Sequence, residues 1–265
     1  MHPSRVIRGA RSQRLAGRTI LVGVSGSIAA VEVVKVIREL LRHGAEVRAV
    51  MSPEAARIIT PEALEFATGH PPILQLSGAV EHVSLLGPGE GRADLYLIAP
   101  ATANTIGKIA HGIDDTPVTT FASVALGGGV PVLVAPAMHA HMGRNPAVSE
   151  NLALLRKWGV GVIASRAAEG EEKLASPEEI AAEVLRSIQR RVALNSPGDM
   201  AVVKLNPEVA RFLYSDGAKN LEALESRLGV KFVLRSLDAL GPEEVELAPV
   251  SAAASAGGAA RLRAG

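Results

Sequence analysis

The sequence predicts an α/β fold, in which a doubly wound parallel sheet is followed by a small α+β module. From residue 19 to about residue 191, short apolar runs rich in β-branched residues alternate with stretches of helical periodicity. Runs that are apolar throughout indicate strands buried on both faces, and helices between them indicate a parallel sheet. A linker with Pro and Gly at residues 195–199 precedes a second, shorter series of strand and helix patterns.

The elements of the main sheet can be placed in chain order. The predicted strands are Thr19–Val24, Glu46–Met51, Leu95–Ala99, Val130–Ala135 and Val160–Ala164. The predicted helices are Ala29–Leu41, Pro53–Ile59, Pro61–Thr68, Thr102–Ile109, Pro117–Leu126, Asn145–Trp158 and Pro177–Arg190. Proline opens several of these helices because its fixed φ suits the first helical turn, and Gly44 ends the first of them.

These patterns divide the chain into four segments. We expect a basic lead-in arm at 1–18, a ligand-binding α/β domain at 19–192, the small module at 199–248 and a disordered tail at 249–265, where Ala and Gly dominate. The predicted elements of the module are strands at Met200–Leu205 and Val230–Arg235 and helices at Pro207–Leu213 and Leu221–Leu228.

Composition excludes several classes of protein. Hydrophobic residues make up 48% and charged residues 21% of the 265 residues, as in globular domains. The chain has no cysteine, which excludes disulfides, thiolate metal sites, iron–sulfur clusters and cysteine nucleophiles. No apolar run reaches the roughly 18 to 20 residues that span a bilayer. We therefore expect a cytoplasmic protein without membrane association.

Charge argues against nucleic acid as a partner. The formal net charge of the chain is only +1, so it has no general field to attract a polyanion. Residues 206–231 faintly resemble a segment of ribonuclease E/G-type proteins and a KH-like unit. Residues 196–265, which include this segment, carry eight Lys and Arg against nine Asp and Glu, a net charge of −1, whereas RNA-binding surfaces are usually basic.

The first twenty residues differ from the rest in charge. Arg5, Arg8, Arg11, Arg14 and Arg18 give this segment a charge of +5 with no acidic residue. Their spacing would align most of them on one face of a helix. We interpret the segment as a solvated arm, with an oligomer contact or an anionic ligand as alternatives. The absence of a cleavage signal argues against a transit peptide.

Small and hydroxyl-bearing residues follow the first two predicted strands. Ser25 and Ser27 lie in the loop after the first strand, and Ser52 lies directly after the second. A helix N-terminus at such a loop binds phosphate through its unpaired backbone N–H groups and its dipole. The Gly-x-Gly-x-x-Gly dinucleotide pattern is absent, which favours one phosphate over a pyrophosphate. Close packing and simple helix capping are the alternative interpretations.

The loops after the third and fourth strands complete a predicted crevice. Thr102 and Asn104 follow the third strand, and a segment with two Met and two His, residues 135–142, follows the fourth. Ligands of open parallel sheets bind at the carboxyl ends of the strands. His139 and His141 alone are a poor metal site because no third ligand is near in sequence, so we predict no metal.

Three sequence motifs resemble the flavin-dependent cysteine decarboxylase family. They are Gly-Ser-Ile-Ala-Ala at 26–30, Ala-Pro-Ala-Thr-Ala-Asn-Thr-Ile-Gly-Lys-Ile-Ala-His-Gly-Ile-Asp-Asp at 99–115 and Pro-Ala-Met-His at 136–139. The resemblance covers residues 5–190. The His-Pro opening, the Arg-rich arm, Ile-Asp-Asp-Thr-Pro-Val-Thr-Thr at 113–120 and Glu-Gly-Glu-Glu-Lys-Leu-Ala at 169–175 resemble its archaeal branch.

The resemblance implies a Rossmann-like flavoprotein that binds FMN between the subunits of a homotrimer and decarboxylates 4'-phosphopantothenoylcysteine in coenzyme A biosynthesis. Its implied FMN-binding residues are Ser25, Ser27, Ser52, Ala101, Thr102, Asn104, Asp115 and Met138. His82 is implied as the acid/base, and His139 as the group that holds the substrate carboxylate. Met142 and Lys173 are implied as further substrate-binding residues.

Two departures from the family pattern leave other functions open. His139 stands where the commonest form of the motif has Asn, although histidine can also donate a hydrogen bond to a carboxylate. The cysteine of the family's substrate flap is missing, and Glu171, Glu172 and Lys173 occupy the corresponding loop. The alternatives are a flavoprotein reductase that resembles dihydromethanopterin reductases and a non-catalytic flavin-binding interaction subunit.

Overall fold

The computed structural model describes residues 2–89, 91–164, 166–168, 171–195, 200–214, 231–236 and 245–249. Its main sheet has five parallel strands, which are β1 (Thr19–Val24), β2 (Glu46–Met51), β3 (Leu95–Ala101), β4 (Val132–Pro136) and β6 (Gly161–Val162). Their order in the sheet is β2-β1-β3-β4-β6. This arrangement confirms the predicted α/β fold with a parallel sheet.

The helices form two groups around this sheet. They are α1 (Pro3–Ile7), α2 (Val33–Arg42), α3 (Pro61–Thr68), α4 (Glu81–Leu86), α5 (Ala103–Ala110), α6 (Pro117–Gly127), α7 (Ala140–Gly143), α8 (Pro146–Lys157) and α9 (Pro177–Asn195). Helices α1, α2 and α3 contact one another, whereas α6 contacts both α4 and α5, and α5 contacts α8. The two groups agree with a doubly wound sheet.

Tyr96 joins the centre of the sheet to the second group of helices. Its ring is fully buried beside Phe121, and its hydroxyl donates a hydrogen bond to the Val118 carbonyl at 2.9 Å. Burial raises the pKa of Tyr96 well above its ordinary value, so the hydroxyl keeps its proton and remains a donor. A Cβ at Gly23 would overlap this hydroxyl, which explains a glycine inside strand β1.

Several predicted elements are shorter than expected. The predicted helix Ala29–Leu41 is divided, because Ile28–Glu32 is a 3-10 helix with Ser27 as its N-cap and α2 starts only at Val33. Only Ala55–Arg57 of the predicted helix Pro53–Ile59 is helical, as a 3-10 turn. The last strand pairs with β4 through two residues of the predicted five.

Residues 1–186 form the main unit of the chain, and a second, small sheet in this unit has no counterpart in the predictions. Strand β8 (Glu171–Lys173) pairs antiparallel with β5 (Met138–His139) and with β7 (Arg166–Ala168). Strands of two or three residues are too short to show a periodic pattern, so the sequence does not indicate them.

The basic arm is fastened to the main unit, contrary to the expectation of a solvated arm with one arginine face. Only Pro3–Ile7 is helical, and Leu15 is fully buried. The main unit supplies an acidic partner to three of the arginines. The ion pairs are Arg8–Glu46, Arg11–Glu39 and Arg18–Asp94. Acidic residues distant in sequence therefore fix the arm, and its own spacing does not reveal them.

Residues 187–265 form a separate compact unit. It contains a three-stranded sheet in the order β10-β9-β11, formed by β9 (Met200–Leu205), β10 (Lys231–Ser236) and β11 (Val245–Pro249). Helix α10 (Pro207–Tyr214) packs Ala210 into a small core with Val203, Leu205 and Leu234.

Two of the predictions for this unit cannot be compared directly. The predicted helix at Leu221–Leu228 and residues 250–265 of the predicted tail lie outside the described residues. Strand β11 was not predicted and reaches Pro249. No helix in the described part of the chain is long and apolar enough to cross a membrane.

Candidate functional site

A cavity of about 350 Å³ lies at the carboxyl ends of four adjacent strands. The loops after β2, β1, β3 and β4 line it, in the order in which these strands stand in the sheet. This is the crevice expected for an open parallel sheet. Its volume falls within the range of sites for small ligands.

The loop after β1 contributes Gly26 and Ser27 to the wall of the cavity. Ser27 is the N-cap of the 3-10 helix, and its hydroxyl oxygen accepts a hydrogen bond from the Ala29 N–H at 3.3 Å. Since this bond uses the oxygen, the hydroxyl hydrogen can still be donated to a ligand. A Cβ at Gly26 would overlap the Cβ of Glu54, so glycine lets the first two loops meet.

The loop after β2 contributes Ser52 and Glu54. Ser52 is buried, and its oxygen accepts a hydrogen bond from the Ala55 N–H at 3.2 Å. Its own N–H donates to the Val24 carbonyl at 3.0 Å, which joins the ends of β1 and β2. Ser27 and Ser52 therefore place two hydroxyl donors at neighbouring strand ends.

The loop after β3 forms the central wall. Thr102 is the N-cap of α5, and its side-chain oxygen accepts a hydrogen bond from the Thr105 N–H at 3.2 Å. Asn104 and Lys108 are four residues apart, so they lie on the same face of α5, and both line the cavity. The Lys108 ammonium donates a hydrogen bond to Asp115 at 2.7 Å.

The loop after β4 gives the cavity an apolar side through Ala137, Met138 and Met142. Strand β5 holds Met138 by pairing it with Glu172 of β8. His139 is exposed and caps α7, where its Nδ1 accepts a hydrogen bond from the His141 N–H at 3.2 Å. The two imidazole rings stack with their centroids 5.0 Å apart.

His82 lies on α4, and it does not line the cavity of its own chain. Its ring is partly buried and makes an edge contact with Phe121, at 6.3 Å between centroids. The buried Nδ1 atom has no hydrogen-bond partner among the described residues. The adjacent Glu81 accepts hydrogen bonds from the Ser77 hydroxyl and N–H, which lower the pKa of that carboxyl. The carboxylate therefore keeps this link at the start of α4 as the pH falls below its ordinary titration range.

The structure brings together half of the residues singled out in the sequence. The residues that line the cavity as expected are Ser27, Ser52, Thr102, Asn104, Met138 and Met142. Ser25 and Ala101 are buried and are absent from its lining. Asp115 is connected to it through Lys108. His82, His139 and Lys173 do not line it.

Sequence reasoning missed several lining residues. They are Gly26, Glu54, Ala103, Thr105, Lys108, Thr116 and Ala137. The four-residue spacing from Asn104 to Lys108 could have identified the lysine. Thr116 begins α6 through a reciprocal capping box with Thr119, and no local pattern connects that helix start to the strand ends.

The donor set of the cavity fits a flavin mononucleotide. Hydroxyls of Ser27 and Ser52 and the start of a 3-10 helix at one side suit a single phosphate or polyol. Two methionines at another side suit a flat aromatic ring, since thioethers make favourable contacts with aromatic systems. The Glu54 carboxylate suits hydroxyl donors rather than the phosphate itself. In the described residues, no group of three acidic or histidine side chains could hold a metal.

The parallel sheet and its polar cavity at the strand ends define a cofactor-binding α/β domain. Residues 8–193 match the model of the Flavoprotein family, and the chain belongs to this family. The family membership confirms the resemblance seen in the three sequence motifs.

Similar proteins carry more specific names. The coenzyme A biosynthesis bifunctional protein CoaBC of Thermococcus kodakarensis is 52% identical over 188 residues, which are 71% of this chain and 46% of that protein. The FMN-dependent cysteine decarboxylase SpaF is 33% identical with a TM-score of 0.57, covering 66% of this chain and 98% of that one. A PPC decarboxylase variant in complex with pantothenoylaminoethenethiol is 27% identical with a TM-score of 0.53, covering 63% and 96%.

These matches differ in how much of each protein they include. The chain spans about half the length of the curated CoaBC relatives that it matches. By contrast, the match to SpaF includes nearly all of that solved chain. The shared region is therefore the flavoprotein domain.

Proposed function

We propose that this chain is an FMN-dependent carboxy-lyase that converts 4'-phosphopantothenoylcysteine to 4'-phosphopantetheine in coenzyme A biosynthesis. The observation that carries the proposal is the cavity itself, with hydroxyl donors on the loops after β1 and β2 and methionines after β4. The names of the CoaBC and PPC decarboxylase relatives support the assignment of this substrate. The proposal includes a homotrimer in the cytoplasm, without membrane or nucleic-acid partners.

The chain would hold FMN with residues from all four loops. Ser27 and Ser52 would donate hydrogen bonds to its phosphate or to the adjacent ribityl chain. Asn104, Thr102 and Met138 would surround the ring system. When bound, FMN supplies a reversible two-electron acceptor, which makes loss of CO₂ from an otherwise unactivated carbon feasible. Ser25 and Ala101, being buried, would support this site from behind.

The substrate would occupy the side of the cavity near β5. His139 follows Met138 directly, and its ring would donate a hydrogen bond to the substrate carboxylate. The pairing of β5 with β8 fixes the backbone that carries both residues. Met142, in the same segment, would pack against the apolar part of the substrate.

His82 would act as acid/base at the substrate thiol, but in the cavity of a neighbouring subunit. It is absent from the cavity of its own chain, and its α4 helix exposes Val83 and the preceding Val80. In a homotrimer with FMN between subunits, this histidine would lie beside the cavity of the neighbouring subunit. The proposed role of His82 therefore requires the proposed trimer.

A flavoprotein reductase is the second candidate, because the chain has no cysteine with which to serve the reductive half of the reaction. An experiment with two substrates distinguishes the two candidate functions. The FMN-loaded protein is incubated with phosphopantothenoylcysteine and, separately, with a nicotinamide donor. Formation of phosphopantetheine without any added reductant supports the decarboxylase. Flavin reduction by the nicotinamide, with phosphopantothenoylcysteine left intact, supports the reductase.

A further inference from the structure

Lys108 is the basic residue among the side chains that line the described cavity. Its position on α5, one turn after Asn104, puts its charge on the wall that the ring of a bound flavin would face. The side chain is 22% exposed, so water screens its charge only in part.

The lysine is held in place by an acidic partner outside the cavity lining. Its ammonium lies 2.7 Å from the Asp115 carboxylate, which is 51% exposed. Asp115 directly precedes Thr116, the residue that caps α6 and also lines the cavity. The ion pair therefore joins α5 to the start of α6, and the more hydrated end of the pair is the carboxylate.

Two roles are compatible with this contact, and they differ in what the charge does. As an anchor, Lys108 would matter only because it ties α5 to the segment before α6. As an electrostatic group, it would stabilise negative charge that develops inside the cavity. The acidic residue of the lining, Glu54, lies on a different loop, after β2, so Lys108 is the charged side chain that α5 contributes to the lining.

We propose that Lys108 tunes the cavity electrostatically, so that it favours FMN in its reduced state. Reduction by two electrons with uptake of one proton adds one negative charge to the flavin. A fixed positive charge nearby stabilises that product relative to the oxidised flavin. Asp115 would moderate the effect by partly neutralising the ammonium. This inference rests on the proposed binding of FMN and does not depend on the substrate.

The test is the two-electron reduction potential of FMN bound to three variants of the full chain. Lys108→Met removes the charge and the ion pair, Asp115→Asn removes the ion pair and leaves the charge, and Lys108→Arg keeps both. We expect Lys108→Met to lower the ratio of the affinity for reduced FMN to the affinity for oxidised FMN by about tenfold. That ratio corresponds to a potential about 30 mV more negative for a two-electron couple. Asp115→Asn should shift the potential in the opposite direction, and Lys108→Arg should leave it near that of the parent.

The opposite signs separate the electrostatic role from the anchor. Both Lys108→Met and Asp115→Asn break the ion pair, so an anchor predicts the same direction of change, or none, in both variants. Either of these results overturns the inference. If Lys108→Met does not fold, as judged by circular dichroism, Asp115→Asn decides alone, because an unchanged or more negative potential contradicts the proposal.

The outcomes also separate this inference from the proposed function. A protein that binds FMN and releases CO₂, but shows no opposed shifts, would refute the role of Lys108 only. Opposed shifts in a protein that releases no CO₂ would refute the decarboxylase and leave Lys108 supported. A parent protein that takes up no FMN would overturn both.

Discussion

The Ser25 hydroxyl accepts a hydrogen bond from the Thr102 N–H at 3.1 Å and donates one to the Pro100 carbonyl at 2.7 Å. Ser25 is only 1% exposed, and its bond to the Pro100 carbonyl is buried, whereas the bond from the Thr102 N–H is partly buried. They connect the loop after β1 to the start of α5, which are the two central walls of the cavity. Ser25, which was predicted to approach the FMN phosphate, joins these two loops through its hydroxyl.

Replacement of Ser25 by Ala should destabilise the protein without removing a lining side chain. The change leaves the half-buried Thr102 N–H without its partner and removes one of the two hydrogen bonds to the buried Pro100 carbonyl, which keeps the bond from the backbone N–H of residue 25 at 3.4 Å. The expected cost is about 1–3 kcal/mol. Urea unfolding of the FMN-free protein measures this cost. Ser84→Ala is the matched control, because that hydroxyl bonds the Glu81 carbonyl at an exposed position and should change stability by less than about 0.5 kcal/mol. Equal stabilities of the two variants would refute the bridging role.

Ser52→Ala should weaken FMN binding more than riboflavin binding. A hydrogen bond to a charged phosphate contributes about 1.5–3 kcal/mol, which is roughly tenfold or more in affinity. Riboflavin lacks the phosphate and should lose less. Fluorescence titration with both flavins measures the difference.

The control for Ser52 must remove a hydroxyl that accepts a hydrogen bond from a backbone N–H at a helix start, as Ser52 does from the Ala55 N–H, without touching the cavity. Thr60→Ala does so, because the Thr60 oxygen accepts a hydrogen bond from the Ala63 N–H at the exposed start of α3. Both flavins should bind this variant as they bind the parent. If Ser52→Ala weakened riboflavin as strongly as FMN, the serine would not contact the phosphate.

Gly26→Ala should separate the first two loops of the cavity. The added Cβ meets the Cβ of Glu54, and relief of such an overlap typically costs about 1–3 kcal/mol. FMN affinity should fall at least roughly tenfold, since Ser27 and Ser52 would move apart. Gly127→Ala is the control, because a Cβ there meets nothing within 4 Å. Unchanged FMN binding by Gly26→Ala would show that the two loops do not jointly hold the flavin.

The sequence predicted which loops form the site better than it predicted where individual side chains point. Ser27, Ser52, Thr102 and Asn104 could be selected because each follows an apolar strand, and parallel strand ends converge. The sequence could not show that the Ser25 side chain points inward, because its partners Pro100 and Thr102 lie more than 70 residues away in the chain.

Other features depend on contacts that no local pattern encodes. The pairing of β5 with β8 involves two residues on each strand, which is too short for a period. The arm is fastened by Glu39, Glu46 and Asp94, each on a different segment of the main unit. The position of His82 outside its own cavity likewise follows from the fold alone.

His82→Asn should keep FMN bound while it lowers decarboxylation by roughly 10² to 10⁴, the usual effect of losing a positioned acid/base. Mixed oligomers test where this histidine acts. Subunits with His82→Asn retain a cavity, and subunits with Gly26→Ala retain His82. Co-expression of the two should restore part of the activity, because a Gly26→Ala subunit can supply His82 to the intact cavity of its neighbour. Mixed oligomers without restored activity would place His82 in its own subunit.

The release of CO₂ from phosphopantothenoylcysteine by the purified FMN-loaded protein tests the central claim most directly. We expect one CO₂ and one phosphopantetheine for each substrate consumed, without an added electron donor or acceptor, because the flavin regains its starting state in each turnover. The His82→Asn protein, loaded with the same amount of FMN, should lose nearly all of this activity. CO₂ release no faster than with free FMN, from a parent protein that carries bound flavin, would contradict the assignment.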